Sequence, residues 1–164
     1  MQEQDIYGKC GVYLPKILDD LSQRIQEAND RVKQETGQKL FEHFNARVKQ
    51  AASMEEKCQR KNLPRAPESA LKEIRDAIGI RIVCGFIEDI YQTIEVLRQL
   101  EGCEIVLEKD YIRAAKPNGY RSYHLILEVE TPYEDCHGQN PGRYFVEIQL
   151  RTIAMDSWAS LEHQ

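Results

Sequence analysis

The segment Ala77-Ile-Gly-Ile-Arg-Ile-Val-Cys-Gly-Phe86 constrains this chain more than any other. It is rich in β-branched residues and apolar on both faces. Such a run is stable only as a central strand, with neighbours on either edge and cover over its surface. The rest of the 164 residues must supply both. Leu14, Ile17, Leu18, Leu21 and Ile25 recur at helical spacing within residues 12–34, opposite a polar face. Phe41, Phe44, Ala46 and Val48 suggest a short strand, and Ser53-Met-Glu-Glu56 reads as a capping box opening a helix to about Lys61. Pro64 and Pro67 mark a loop, and Glu68–Asp76 forms one or two helical turns. Glu88–Leu100 is an amphipathic helix. Strands follow at Glu104–Ile112, Ser122–Glu130 and Arg143–Arg151, and Thr152–Gln164 opens a further helix. That pattern is still running at the last residue, so the final helix reads as shortened. The expected fold is α/β, a mixed, largely antiparallel sheet of about five strands flanked by helices. A helical segment, 1–38, should precede the main domain, 39–164.

Composition narrows the partners. No apolar run approaches the ~20 residues that span a bilayer, and the first residues lack a charged-then-apolar leader pattern. Five cysteines without a CxxC pair argue for reduced thiols in a cytosol, not a disulfide frame or a zinc site. The net charge is −5, yet residues 44–81 hold nine Lys/Arg against five Asp/Glu, and residues 109–124 hold four against one. An acidic chain with two concentrated basic segments is poorly suited to coating DNA. It suits a compact polyanion such as a nucleotide, although two solvated basic faces would give the same counts.

Four constellations could carry chemistry. Arg47 and Lys49, two apart on a strand, project from one face. Ser53 and Lys57 follow on the next helix, which gives an anion site or else an edge guarded by charges. Arg75-Asp76-x-x-Gly79-x-Arg81 puts a carboxylate at the mouth of the apolar strand, where it could hold Mg²⁺ or simply cap a turn. Lys109-Asp110-Tyr111 leads to Lys116-Pro-Asn118-Gly-Tyr120-Arg121-Ser-x-His124. An Asn-Gly turn would present Tyr120 at a loop tip ringed by cations, suited to base stacking. In Phe145-Val-Glu147-Ile-Gln149-Leu-Arg151, three polar side chains share one strand face. They face water or line a cleft, and in a cleft Glu147 could join Asp76 at one ion and accept a proton.

In this order, with Arg151-Thr-x-Ala-Met-Asp-x-Trp-Ala159-Ser-x-Glu-His163 after the last, these motifs resemble the synthetase domain of RelA/SpoT homologues, from about residue 40 onward. No His-Asp dipeptide is present, so the hydrolase domain of the long members is not expected. The chain is most similar to a small alarmone synthetase.

The resemblance implies a nucleotidyltransferase-like sheet and a GTP pyrophosphokinase of the bacterial cytoplasm, acting in the stringent response. It would pass the β,γ-pyrophosphate of ATP to the 3′-hydroxyl of GDP or GTP, giving (p)ppGpp and AMP. Arg47 and Arg81 would sandwich adenine, and Lys49, Ser53, Lys57 and Arg60 would hold ATP phosphates. Asp76 and Glu147 would bind Mg²⁺, with Glu147 also activating the hydroxyl. Tyr120 would stack on guanine, while Lys109, Lys116, Asn118, Arg121, His124, Gln149 and Ala159 complete the acceptor pocket. Leu107 stands where long members carry Arg, which bears on the choice between GDP and GTP. Full-length small relatives assemble as tetramers, so a homo-oligomer is expected. A catalytically silent guanine-nucleotide or alarmone regulator is the alternative. RNA binding through Tyr120 is a third reading, disfavoured by the −5 total.

Overall fold

The computed structural model describes residues 4–114, 117 and 121–156. A tight helical turn, Gly8–Tyr13, runs into helix α1, Leu14–Thr36, with Pro15 in its first turn. Gly37 stops α1 in a left-handed conformation, φ 81°, which a residue without Cβ adopts at no steric cost. Strand β1 (His43–Val48), helix α2 (Ala51–Arg60) and a wide helical turn (Ser69–Glu73) follow. Strand β2 (Ile78–Cys84), helix α3 (Ile87–Arg98) and strands β3 (Cys103–Asp110), β4 (Tyr123–Thr131) and β5 (Gly142–Thr152) complete the order.

The five strands form one sheet in the order β1-β2-β5-β4-β3. Only the β2–β5 pair is parallel. The expected mixed, largely antiparallel sheet is therefore present, and the apolar run that demanded it lies next to the centre. Ile78, Ile80 and Ile82 of β2, Val146, Ile148 and Leu150 of β5, and Leu125, Leu127 and Val129 of β4 are buried in one cluster with Leu14, Ile17, Leu21 and Ile25 of α1 and Ile90, Ile94 and Leu97 of α3. One sheet face thus carries the core and its helices. The alternate residues of the same strands are left on the other face, where they are free to build a site.

Local hydrogen bonds set the boundaries. Asn29 of α1 accepts from the Leu40 N–H (2.7 Å) and donates to the Phe41 carbonyl, steering the chain into β1. Strand β3 ends two residues before the expected Ile112. Asp110 Oδ1 accepts from the backbone N–H groups of Ile112 and Arg113, folding the chain out of the ladder. The capping-box expectation fails. Helix α2 starts at Ala51 with Gln50 as its cap and no side-chain cap bond, so Ser53 stands inside the first turn. The phase is set by burial of Met54 and Cys58, and Ala51 and Ala52 are good helix formers. The 132–141 loop is a structural pin. Its buried Asp135 accepts from the N–H groups of His137 and Gln139, and Tyr144 and Cys10 both donate to Glu134 O.

Ile148 is fully buried at the middle of the central strand. Ile148→Ala should lower the unfolding free energy by about 3–4 kcal/mol, read from the urea midpoint at constant slope.

Candidate active site

The register of the sheet arranges the open face into two rows. Arg47, Gly79, Glu147, Ile126 and Leu107 are successive cross-strand partners from β1 to β3. Asn45, Arg81, Gln149, His124 and Lys109 form the next row. Between the β1, β2 and β5 members lies a cavity of about 240 Å³ lined by Asn45, Arg47, Asp76, Gly79, Ile80, Arg81, Glu147 and Gln149. Two carboxylates and two guanidiniums widely separated in the chain therefore share one concavity. A Cβ built on Gly79 would meet nothing within 4 Å, so the missing side chain leaves the floor open.

Asp76 sits at the cavity wall just ahead of β2. Its Oδ2 accepts from Lys49 Nζ at 2.6 Å and Lys57 Nζ at 2.7 Å. Its Oδ1 is buried and has no hydrogen-bond partner. Burial acts to raise the Asp76 carboxyl pKa. The two lysine hydrogen bonds and their charges outweigh it and hold the group below the usual carboxylate range. Glu147 is also held low. The adjacent His124 does most to lower it, burial opposes that, Gln149 adds a hydrogen bond at 3.2 Å, and the Asp76 charge pushes back. The two carboxylates thus sense one another, and both are ionised at neutral pH. His124 Nδ1 lies 3.7 Å from Glu147 Oε1, and Tyr111 stands edge-on to the imidazole at 5.6 Å.

Among the described residues no three His, Cys, Asp or Glu side chains converge on one point. A pair of hard oxygen donors, one with a buried unpartnered atom, fits a small divalent cation that draws its other ligands from water and phosphate.

Most expected residues fall on this face. Arg47, Asp76, Arg81, Glu147 and Gln149 line the cavity, Lys49 and Lys57 bond Asp76, and His124 adjoins Glu147. Lys109 ends its row, exposed. Ser53 and Arg60 are exposed on α2, one turn before and just after Lys57. Arg121 is exposed where β4 is about to begin. Lys116, Asn118, Tyr120, Ala159 and the helix expected beyond 156 lie outside the described residues. Sequence reasoning missed Asn45, although it shares a strand face with Arg47. It also missed the contacts that Asp110 and Arg113 make with α3. Asp110 Oδ2 accepts from Tyr91 OH at 2.9 Å, and the Arg113 guanidinium lies 4.9 Å from the Tyr91 ring centre.

Comparison with known proteins shows the family and the fold. The family described as the region found in RelA / SpoT proteins matches residues 46–164. The GTP pyrophosphokinase YwaC of Bacillus subtilis is 46% identical over 129 residues, which make up 78% of this chain and 59% of that protein. The crystal structure of small alarmone synthetase 2 from Bacillus subtilis is 40% identical with a TM-score of 0.77, covering 93% of this chain and 75% of that one. Small alarmone synthetase 1 from the same organism, bound to its product pppGpp, is 33% identical with a TM-score of 0.77, at 93% and 75% coverage. The same synthetase bound to AMPCPP gives 30% identity and a TM-score of 0.71, at 93% and 73% coverage.

Because the folded state holds Asp76 more acidic than the unfolded chain does, its charge stabilises the fold above the ordinary carboxylate pKa. That contribution is lost as pH falls through the lowered value. Asp76→Asn should therefore cost on the order of 2 kcal/mol near neutral pH. The gap should close as both proteins are taken from neutral pH to a pH below the lowered folded-state value. Urea melts at the two pH values check this, and a gap independent of pH would mean that the lysines do not respond to the Asp76 charge.

Proposed function

The chain belongs to the RelA/SpoT family, and from that premise we propose that it is an alarmone synthetase, transferring the β,γ-pyrophosphate of ATP to the ribose 3′-hydroxyl of GDP or GTP. The carrying observation is the cavity where Asp76 and Glu147 meet between Arg47 and Arg81. The AMPCPP and pppGpp complexes of small alarmone synthetase 1 support a donor nucleotide and a pyrophosphorylated guanine nucleotide on this fold. The chain spans 59% of YwaC.

In this reading the guanidiniums of Arg47 and Arg81 stack on adenine, a contact suited to their planar, weakly hydrated cations. Lys49 and Lys57 hold the phosphates. Each ammonium has three donors and spends one on Asp76, so both can add phosphate oxygens without leaving it. Ser53 and Arg60 extend the same helix face. Asp76 and Glu147 would hold Mg²⁺, which when bound neutralises phosphate charge and polarises the phosphoryl oxygens. On the acceptor side Lys109, His124 and Gln149 are joined by Lys116, Asn118, Arg121, Ala159 and Tyr120, whose ring stacks on guanine. Glu147 takes the proton of the 3′-hydroxyl as its oxygen bonds to the β-phosphorus. The bridging oxygen to the α-phosphorus departs with AMP. Positioning and charge compensation then do most of the catalytic work. The working form is a homo-oligomer of the bacterial cytoplasm. Among the described residues no helix is long and apolar enough to cross a membrane.

Incubation with ATP, Mg²⁺ and GDP or GTP should yield (p)ppGpp and AMP in equal amounts, and added chelator should stop it. Absence of product from folded protein that still binds both nucleotides would overturn the reading in favour of a silent receptor. Glu147→Gln should lower turnover by about 10³-fold or more while ATP affinity stays within about threefold by calorimetry. Gly79→Val tests the donor cavity independently. Valine suits a strand, and its side chain would enter the open floor. Thermal stability should hold while ATP affinity falls about tenfold or more; unchanged affinity would remove adenine from this cavity.

A further inference from the structure

The matched family region begins at residue 46, yet the cationic corner of the cavity is braced from far upstream. Tyr7 is 4% exposed, and its hydroxyl donates to the Lys49 carbonyl at 2.6 Å. The Lys49 N–H donates to Ala77 O at 2.8 Å. Residue 49 is therefore held at both ends of its backbone, by Ala77 just ahead of β2 on one side and Tyr7 on the other, while its ammonium bonds Asp76. This corner is exposed to distortion. Among the described residues β1 is an edge strand that pairs only with β2, and just two residues separate its end from α2.

Tyr7 is itself built into place. Its N–H donates to Asp5 Oδ1 at 2.9 Å, and the Gly8 N–H donates to Asp5 O at 3.0 Å. Gly8 adopts φ 62° against Pro67, where a Cβ would come within 2.9 Å of the proline ring. A side chain at that position would thus push the turn off its seat. Burial, helped by the negative charges of Asp76 and Asp5, raises the phenol well above its ordinary value, so the hydroxyl remains a donor at neutral pH.

We propose that Tyr7 is a positioning residue for the donor nucleotide: by fixing the backbone of Lys49 it sets where the ammonium meets both Asp76 and the phosphates. This rests on the reading of Lys49 as a phosphate ligand. The Tyr7 hydroxyl touches neither nucleotide and acts only through that lysine.

Tyr7→Phe keeps the ring and removes only the hydrogen bond. Its KM for ATP, and its Kd for a non-hydrolysable ATP analogue, should rise about five- to tenfold, the effect of one lost hydrogen bond. The KM for the guanine nucleotide should stay within about twofold, and the thermal midpoint within about 3 °C. Asp5→Ala, which loosens Tyr7 without touching its ring, should move the same constants in the same direction by less. A wild-type protein that binds the analogue alongside a Tyr7→Phe variant of equal affinity would overturn the proposal. So would a variant that weakens both nucleotides equally. If the wild type binds the analogue but forms no product, while Tyr7→Phe still weakens binding, the catalytic reading fails and the role of Tyr7 stands. A wild type that binds no analogue would remove both.

Discussion

The carboxylate of Asp76 accepts hydrogen bonds from two ammonium groups that arrive from different elements, Lys49 from just past the end of β1 and Lys57 from the last turn of α2. Neither cation would tolerate the other's neighbourhood without an anion between them. All three side chains are mostly withdrawn from water, with 14%, 26% and 17% of Lys49, Lys57 and Asp76 exposed. Removing the carboxylate would leave two half-desolvated like charges, a worse state than either charge alone. The pair also fixes geometry. It ties the end of an edge strand, the axis of the following helix and the start of β2 to one oxygen atom. The other oxygen stays buried and has no hydrogen-bond partner among the described residues, and Asp76 itself lines the cavity.

Topology decides that Glu147 meets this cluster. The one parallel pairing, β2 with β5, puts Gly79 beside Glu147 and Arg81 beside Gln149. A one-residue slip would turn Glu147 into the core and Ile148 outward. Ile148, Val146 and Leu150 forbid the slip, because all three are fully buried against the helix layer. The hydrophobic core therefore aims the open face that carries the cavity. Among the described residues, α1 and α3 lie on the opposite side of the sheet from the two rows.

Much of this was legible in the sequence, for identifiable reasons. β-branched runs and two-residue alternation gave all five strands, and alternation alone put Glu147, Gln149 and Arg151 on one face. Arg151 then departs from its neighbours. It is 7% exposed and lies 3.6 Å from Asp156, in the segment following the strand. Alternation says which side a residue faces but nothing of what covers it. The start of α2 was misread because Ser53-x-x-Glu56 satisfies a local rule, while the helix phase answers to the burial of Met54 and Cys58. Tyr7 was invisible for a related reason. A tyrosine near the beginning of a chain has no periodic partners, and its bond to Lys49 spans 42 positions that no short-range pattern can bridge.

Charge placement resolves the apparent conflict between a net charge of −5 and a site for polyanions. Helices α1 and α3, on the far side of the sheet from Arg47, Arg81 and Lys109, together carry eight Asp/Glu against five Lys/Arg. A helix layer and a sheet lie about 10 Å apart, and exposed charges are screened over about 8 Å at physiological salt. The acidic face therefore does little to the potential within the cavity, where Arg47, Arg81, Lys49 and Lys57 outnumber Asp76 and Glu147. The two populations have separate consequences. The outer acids repel a polyanion laid along that face. The inner cations are strong where low-dielectric walls focus their field. A compact nucleotide reaches the second without meeting the first, whereas an extended polyanion lying across the surface must meet both.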